Sequence, residues 1–361
     1  MSHIPALDGL RAVAIAMVVA FHYGFLDCGW LGVQLFFVLS GFLITRILLE
    51  ARDQPFGHYL GRFWRRRALR IFPLYFGYLL LLSAVFVATG APAAFRDSAV
   101  PLFTYTFNLT RPQLLEGSPA FTHFWSLCVE EQFYLLWPLA VFAVAPRRLP
   151  RLVVAMIALA PVARLVLGDI WMRTLPSPFD AGDSIYWSPI CQMDSLATGA
   201  LIAVLRLPER VAHPRRIFAA TLALALGLGF TNLLLHRAAG VELPLGTLGY
   251  PLNGLNLMQH VWSYSVWNLA FGAALVWVLQ RNAQSGLLCH PAVVATGRVS
   301  YGLYVFHNPL LLLLRSAIPF TATTATGAAL FVPYCAVLLL LAHGSYRWYE
   351  SWFLRRKDLK A

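Results

Sequence analysis

Charged side chains, and lysine above all, are scarce in this sequence. Of its 361 residues 12% are charged, against roughly 25% in an average soluble domain. The two lysines, Lys357 and Lys360, stand at the end of the chain. No polar segment between the apolar runs is long enough for a separate catalytic domain. With 59% hydrophobic residues and a mean hydropathy of +0.64, the composition predicts a polytopic membrane protein.

The motifs of several enzyme classes are also missing. The sequence has no G-x-x-x-x-G-K-[ST] phosphate loop, no H-E-x-x-H and no G-x-S-x-G. These absences argue against ATP-driven transport, zinc hydrolysis and a nucleophile-elbow esterase. The five cysteines include no C-x-x-C pair, so neither a disulfide framework nor a metal site is predicted. The N-terminus lacks the basic region of a signal peptide, which argues against cleavage.

Ten apolar runs are close to the ~20 residues that a membrane-spanning helix requires. They cover residues 8–27, 31–50, 70–89, 125–145, 151–168, 185–205, 217–235, 262–280, 299–316 and 327–346. Residues 98–109 are too short for a span and contain Pro101, so we expect a lateral or re-entrant segment. We expect 169–184 and 236–261 to be outer loops. Residues 1–350 would form one transmembrane domain, followed by a basic tail at 351–361.

The net charge of +12 comes mainly from arginines, which concentrate in alternate loops. One set of connections is arginine-rich and includes Arg62, Arg147, Arg210, Arg281, Arg298, Lys357 and Lys360; the other holds isolated arginines such as Arg96, Arg111, Arg173 and Arg237. The positive-inside rule therefore places both termini in the cytoplasm. Anionic lipid is the expected partner of these charges. Nucleic acid is not, because the arginines stand at span ends and not on one soluble face.

The first apolar run, from Pro5 to Asp27, carries Asp8, Arg11 and His22. At about 100° per residue, Arg11 lies about 20° and Asp8 about 40° from His22 around a helix. Arg11 and His22 are then about 16 Å apart along the axis. Ionisable groups are costly in lipid, so this stripe predicts a cavity entered at Arg11 and ending near His22. Alternatively, Asp8 and Arg11 form an interfacial ion pair and His22 is a core histidine. The H-x-x-x-x-D string from His22 to Asp27 is interpreted as coincidence, or at most as a contact just beyond the helix end.

A second motif, Arg62-Phe-Trp-Arg65-Arg66-Arg67-Ala-Leu-Arg70-Ile-Phe-Pro73-Leu-Tyr75, enters the third run from the cytoplasm. Guanidinium groups suit phosphate, because two parallel N–H donors meet two oxygens. The alternative is an anchor on anionic lipid. Arg11, predicted at the same level of the membrane, favours the phosphate-binding interpretation.

A third motif, Trp125-Ser126-Leu-Cys-Val-Glu130-Glu131-Gln-Phe-Tyr134-Leu-Leu-Trp137, places adjacent carboxylates just inside a span. Ser126, Glu130, Tyr134 and Trp137 fall near one helical stripe. Glu130 and His22 each lie about five residues inside a predicted outer helix end, so they can share a depth. A carboxylate beside an imidazole fixes its tautomer and raises its basicity. Alternatively, one glutamate caps the helix N-terminus.

A fourth motif opens the ninth run, Gly297-Arg298-Val-Ser300-Tyr301-Gly302-Leu-Tyr304-Val-Phe-His307-Asn308-Pro309. Ser300, Tyr301 and His307 could line the same cavity. Alternatively, Pro309 breaks the helix, and His307 and Ser300 satisfy the freed backbone groups. The small residues Ser40 and Gly41 at the centre of the second run predict close helix packing rather than chemistry.

In their order along the chain, these motifs resemble the acyltransferase-3 family of bacterial membrane O-acyltransferases. The likeness rests on Leu7-Asp8-Gly9-Leu10-Arg11-Ala12 with His22 eleven residues after Arg11, and on Phe36-Phe37-Val38-Leu39-Ser40-Gly41-Phe42. It extends through the second and third motifs to Ser300-Tyr301-Gly302-Leu303-Tyr304-Val305-Phe306-His307. The resemblance implies a ten-helix fold that moves acyl groups, commonly acetyl from acetyl-CoA, onto carbohydrate hydroxyls at the bacterial cytoplasmic (inner) membrane. Some members carry an additional esterase-like domain, which we do not expect in this chain.

The resemblance also implies roles for the residues of the four motifs. The cytoplasmic arginines Arg65, Arg66, Arg67 and Arg70 would hold CoA phosphates, with Arg11 at the mouth; Tyr75, Ser300 and Tyr301 would line the donor site. His22 would be the general base, with Glu130 or Glu131 orienting its ring. Asp8, Trp125, Ser126, Tyr134 and His307 would face the acceptor. An acyl-histidine intermediate remains the competing chemistry, and no metal is expected.

Two other classes of function fit a polytopic membrane protein. An exporter or flippase of a polysaccharide or lipid-linked sugar would use the polar stripe as a substrate path. It predicts polar residues spread over several spans, whereas the motifs above concentrate them in the first run and at the starts of the fourth and ninth runs. A purely structural membrane subunit leaves Glu130 and Glu131 unexplained.

Overall fold

Long apolar runs give this chain long helices, and every regular element in the described ranges is helical. The computed structural model describes residues 3–90, 92–110, 119–252, 254–280 and 286–356. The helices are α1 (Pro5–Tyr23), α2 (Leu31–Ala51), α3 (Phe56–Thr89), α4 (Ala93–Phe103), α5 (Trp125–Ala143), α6 (Leu149–Thr174), α7 (Pro178–Trp187), α8 (Met193–Val204), α9 (Leu207–Arg210), α10 (Pro214–Ala238), α11 (Gln259–Leu279), α12 (Pro291–Arg298), α13 (Ser300–Ala317), α14 (Ala325–Gly344) and α15 (Ser351–Leu354). A π-helix over Ser345–Glu350 joins the last two.

Seven helical segments of the described chain are long and apolar enough to cross a membrane. They are Pro5–Tyr23, Leu31–Ala51, Phe56–Thr89, Leu149–Thr174, Pro214–Ala238, Asn256–Leu279 and Ala325–Leu354. The all-α class and the integral membrane character are therefore confirmed. The count of ten spans and the cytoplasmic termini stay predictions. Arg111, Arg281, Lys357 and Lys360, used in the charge comparison, lie outside the described residues.

The helices form two compact units. Unit 1 contains the described residues of 1–49 and 144–298, and unit 2 those of 50–143 and 299–361. Unit 1 is built around α1, α2, α6, α8, α10, α11 and α12, with an apolar core that includes Ala14, Val38 and Leu275. Unit 2 is built around α3, α5, α13 and α14. His22 thus belongs to unit 1, and the two glutamates of the third motif belong to unit 2.

Close contacts through glycine position α1 and α2 within unit 1. A Cβ atom at Gly9 would lie 2.2 Å from the Leu288 carbonyl oxygen, and one at Gly297 would lie 1.8 Å from the Asp8 carbonyl oxygen. A Cβ at Gly41 would lie 1.9 Å from the Leu196 carbonyl oxygen. Only glycine lets these backbones approach so closely. The close packing predicted for the second apolar run is confirmed.

The arginine-rich segment before residue 70 is helical, which corrects its prediction as part of a loop. α3 begins at Phe56 and runs through the arginines and Pro73 to Thr89. Its first half is held against α5: Tyr59 donates its hydroxyl to the Pro138 carbonyl, and Trp64 donates its indole N–H to the Tyr134 carbonyl at 3.0 Å. Pro138 lacks an N–H, so the carbonyl four residues earlier, that of Tyr134, loses its helical donor. The Trp64 indole supplies the replacement.

Other predicted boundaries are also wrong. α1 ends at Tyr23, because Gly24 adopts a left-handed conformation with φ 99° and caps the helix. The predicted span over 185–205 is interrupted between α7 and α8, where Ser188 and Pro189 stand in irregular backbone. The predicted loop over 169–184 is largely helical, whereas 98–109 contains the end of the short helix α4. α13 continues through Pro309, so that proline does not break the helix.

Candidate active site

Asp8 is the centre of an ion-pair cluster in unit 1. Its side chain is 7% exposed; one oxygen lies 2.6 Å from His3 Nε2 and the other 2.5 Å from Arg11 Nη1. Arg298 of α12 lies 3.8 Å away. The ion pair between Asp8 and Arg11 that was considered from the sequence is therefore present. Asp8 fixes Arg11 and helps to join α1 to α12, and its role in the acceptor site stays a prediction.

His22 lies in the last turn of α1, not about five residues inside the helix end as predicted. Its Nδ1 atom lies 3.0 Å from the Val18 carbonyl oxygen. A carbonyl can only accept a hydrogen bond, so this contact puts the proton on Nδ1 and the lone pair on Nε2. The orientation of the ring by Glu130 or Glu131 stays a prediction. The ring is only partly buried and packs edge-on against Phe21.

The arginines of the second motif occupy one stretch of α3 in unit 2. Arg65 donates to the carbonyl of Arg356, and Arg67 lies over the Phe63 ring at 6.0 Å. Charge interactions link Arg67 to Glu131 and Arg70 to Tyr301. Arg67 and Arg70 therefore interact electrostatically with side chains of α5 and α13.

Glu130 and Glu131 lie on α5 in different surroundings of unit 2. Glu130 interacts electrostatically with Tyr304. Glu131 interacts with Glu130 and Arg67, and its Oε1 atom is buried with no hydrogen-bond donor in the described part of the chain. α5 begins at Trp125, so neither glutamate stands in its first turn. Helix capping thus explains neither residue.

Ser126 and His307 belong to a buried hydroxyl–imidazole cluster between α5 and α13. The Ser126 and Tyr304 hydroxyls are 2.6 Å apart, and Tyr304 also donates to the His123 carbonyl. His307 is fully buried, its Nδ1 lies 2.7 Å from the Tyr304 carbonyl, and its ring packs edge-on against His123 at 4.9 Å. The structure therefore unites these two predicted acceptor residues in unit 2.

Five other predicted residues are buried or, for Tyr301, partly buried, and are engaged in packing or backbone contacts. Tyr75 donates its hydroxyl to the Leu102 carbonyl at 2.8 Å, and Tyr301 donates to the Ile71 carbonyl at 2.7 Å. Trp125 and Tyr134 are 6% and 5% exposed. The hydroxyl protons of Tyr75 and Tyr301 are thus donated to main-chain acceptors, and the role of both residues in a donor site stays a prediction. Ser300, at the first turn of α13, is buried as well.

Gln132, next to the two glutamates, holds the loop that follows α4. Its side-chain amide donates to the carbonyl of Tyr105 at 2.8 Å and exchanges hydrogen bonds with the Asn108 amide at 2.8 and 3.2 Å. The loop places Tyr105 beside Tyr75, with ring centroids 4.4 Å apart. The sequence interpretation gave Gln132 and Tyr105 no role.

A family model described as an acyltransferase domain matches residues 4–346. The chain belongs to this acyltransferase-3 family. It is also similar to the peptidoglycan O-acetyltransferase OatA of Listeria monocytogenes, with 28% identity over 97% of this chain and 55% of that protein. The O-acetyltransferase OatA of Staphylococcus aureus is 24% identical over 99% of this chain and 58% of its own length. The chain thus spans just over half the length of these relatives. No solved structure matches it.

The sequence interpretation of this acyltransferase-3 chain overlooked a buried ion pair in unit 1. Arg164 of α6 is fully buried and forms a two-pronged contact with Asp194 of α8 at 3.0 and 2.9 Å. The guanidinium also donates to Ser265 and to the carbonyls of Val261 and Cys191. An arginine and an aspartate inside apolar runs were the available signal. Nearby, Gln34, Gln192, Ser195 and Asn268 form a buried hydrogen-bonded chain.

Unit 2 contains another overlooked carboxylate. Glu350 ends the π-helix, is 8% exposed, and accepts a hydrogen bond from Ser345 at 3.0 Å. It interacts electrostatically with Tyr301 and Arg70. π-helices are frequent at functional sites.

No three histidine, cysteine or acidic side chains converge as metal ligands in the searched, described residues.

Proposed function

We propose that this chain is a membrane O-acetyltransferase that moves an acetyl group from acetyl-CoA to a carbohydrate hydroxyl. The observation that carries the proposal is the 3.0 Å contact between His22 Nδ1 and the Val18 carbonyl oxygen, from which we infer that the proton is on Nδ1. The family model and the names of both OatA relatives support acyl transfer to a cell-envelope carbohydrate. The apolar helices and the basic excess suit the bacterial cytoplasmic membrane.

The lone pair on His22 Nε2 allows the imidazole to act as a general base. The imidazole removes the proton of the acceptor hydroxyl as its oxygen attacks the thioester carbonyl. The C–S bond then breaks, the CoA thiolate leaves and takes the proton from the imidazolium, and an acetyl ester and free CoA result. In this scheme no acyl group is bonded to the enzyme.

The arginines of α3 supply the donor site of the proposed enzyme. Acetyl-CoA enters as a substrate whose phosphates require several cationic donors. Arg66 and Arg67 are neighbours on α3 and Arg70 follows about one turn later, and Arg67 and Arg70 interact electrostatically with Glu131 of α5 and Tyr301 of α13. These interactions with polar residues of α5 and α13 favour phosphate binding by the arginines over an anchor on lipid.

The acceptor is a carbohydrate or glycoconjugate, and peptidoglycan glycan is the first one to test, because the Listeria monocytogenes relative is named a peptidoglycan O-acetyltransferase. Ser126, Tyr304 and His307 give unit 2 a hydroxyl-rich region close to Glu130. We assign this region to the acceptor hydroxyls.

An exporter would use the buried polar residues of unit 1 as a path. Arg164, Asp194 and Ser265 hydrogen-bond to one another, as do Gln34, Gln192 and Ser195. This mutual bonding is the pattern of helix association in a membrane. It supports the enzyme over the exporter.

The test is transfer of label from [¹⁴C]acetyl-CoA to soluble glycan by the purified, membrane-reconstituted full chain. The proposal expects alkali-labile acetyl ester on the glycan and stoichiometric release of free CoA. Label that stays on the protein without acceptor would replace the direct mechanism with an acyl-histidine. Movement of glycan across vesicles without ester formation would support the exporter instead.

A further inference from the structure

Tyr105 holds a disfavoured conformation in the loop after α4. Its φ of 54° lies in the left-handed region, which is uncommon for a non-glycine residue and frequent at functional sites. Gln132 fixes the residue through its backbone carbonyl, and Tyr75 and Phe72 stack on its ring at 4.4 and 5.7 Å. The fold therefore sustains an unfavourable backbone to keep this side chain in place.

The Tyr105 hydroxyl is buried and has no hydrogen-bond partner among the described residues. Burial is the main cause of a raised pKa for Tyr105, and the charges of Tyr301 and Glu131 raise it further. The phenol is therefore protonated at neutral pH and presents an unused donor. Buried polar groups without partners are rare, because each loses the hydrogen bonds it makes to water.

Glu131 presents the complementary group in the same part of unit 2. Its Oε1 atom is buried and accepts no hydrogen bond within the described chain. Charge interactions connect it with Tyr105 and with Tyr75, whose ring stacks on Tyr105. Phe72, Tyr75 and Phe76 enclose the Tyr105 ring, which carries the unused donor. The unused acceptor of Glu131 interacts electrostatically with this tyrosine.

A neutral group that both donates and accepts would satisfy this pair, and a secondary amide does so with its N–H and C=O. We propose that the Tyr105 hydroxyl and Glu131 Oε1 bind a secondary amide in the pantetheine arm of the acyl donor. The amide N–H donates to Glu131, and its carbonyl accepts from Tyr105. The surrounding rings contact the methylene groups of the arm.

The position of Tyr105 beside Tyr75 of α3 favours the donor arm as the ligand. This step rests on the proposed function, in which Arg67 and its neighbours hold the CoA phosphates. Arg67 and Tyr75 are eight residues apart, about 12 Å along the helix, and Tyr105 stacks on Tyr75. An arm that leaves the phosphates at Arg67 and follows α3 passes Tyr105 before its thioester. The acetamido group of an N-acetylated sugar has the same amide chemistry and is the competing source.

The test compares two donors in the full-length, reconstituted protein: acetyl-CoA and the acetyl thioester of a simple alkanethiol, which has no amide. Tyr105→Phe should lower kcat/KM for acetyl-CoA about 3- to 10-fold, the range of one hydrogen bond between neutral groups. It should leave the alkanethiol ester and the KM for glycan unchanged. Calorimetry should show the same loss in CoA affinity for Tyr105→Phe, and a loss for Glu131→Gln.

Tyr78→Phe is the matched control, because the Tyr78 hydroxyl is also buried but donates to the Ala120 carbonyl at 2.8 Å. It should lower the Tm and leave CoA affinity unchanged, whereas Tyr105→Phe should not lower the Tm, since its hydroxyl has no partner to lose. Equal losses with both donors, an unchanged CoA affinity or a raised glycan KM alone would overturn the inference. A wild-type protein that neither binds CoA nor transfers acetyl would instead refute the proposed function.

Discussion

His22 Nδ1 and the Val18 carbonyl oxygen are 3.0 Å apart within the last turn of α1. This contact leaves the lone pair on Nε2. We therefore expect His22→Ala to lower acetyl transfer at least 10²-fold, the lower range for loss of a general base, without loss of expression. His343 is the matched control, since its Nδ1 makes the same contact with the Leu339 carbonyl at 2.9 Å but its ring is exposed. Substantial turnover in His22→Ala would refute the assignment.

The two adjacent glutamates should respond differently to substitution. Glu130 lies near Tyr304, whereas Glu131 lies near Arg67 and Tyr105. We expect Glu130→Gln to lower kcat, and Glu131→Gln to raise the KM for acetyl-CoA. Steady-state kinetics with each substrate varied in turn separates the two effects. Equal, mild changes of kcat and KM in both variants would indicate that the two glutamates have only a structural role.

The arginines of α3 distinguish a donor site from a lipid anchor. Replacing Arg66, Arg67 or Arg70 with Gln removes a charge-assisted contact of about 1.5–3 kcal/mol, which corresponds to a roughly 10- to 100-fold higher KM for acetyl-CoA. Lysine should also weaken donor binding, because the charge remains while the two-pronged geometry is lost.

Arg215→Lys is the control for this series, because Arg215 is exposed near the start of α10 in unit 1 and contributes to the same predicted charge bias. Its donor KM should equal that of the wild type. If all three lysine variants also keep wild-type affinity for acetyl-CoA, the arginines of α3 bind anionic lipid and not the donor.

The Arg164–Asp194 pair should be essential for the stability of unit 1. Arg164→Met leaves a buried aspartate without its cation, a change that destabilises proteins by about 3–5 kcal/mol. We expect a lower Tm and lower abundance in membranes, and partial recovery in the double variant Arg164→Met/Asp194→Leu. The exposed pair of Arg173 and Asp169, 3.0 Å apart, provides the comparison. Arg173→Met should change the Tm little; a similar fall in both single variants would contradict the role of burial.

Much of the fold follows from local pattern. The start of α1 near Pro5 and that of α5 at Trp125 agree with the apolar runs, and Gly41 was correctly assigned to close packing. The errors have local causes that hydropathy does not register. Gly24 ends α1 early by its left-handed conformation, and arginine, a good helix former, extends α3 back to Phe56.

The candidate site was predictable only where its residues share a motif. Asp8, Arg11 and His22 fall on one helix, so their spacing was enough to single them out. Tyr105 could not be found this way, because its position depends on Gln132, twenty-seven residues further along the chain. Arg164 and Asp194 are thirty residues apart and meet only through the packing of α6 against α8.

By itself, the sequence determined the helical class, the membrane environment and the acyltransferase-3 family, because hydropathy and motif order are properties of neighbouring residues. Tertiary structure decided which polar groups are satisfied. In the packed chain the Asp8 carboxylate forms ion pairs with Arg11 and Arg298, and the Tyr75 hydroxyl donates a hydrogen bond to the Leu102 carbonyl. Tertiary structure left the Tyr105 hydroxyl and Glu131 Oε1 unbonded among the described residues. Hydrogen bonds require a partner within about 3 Å, and only the packed chain brings distant residues that close.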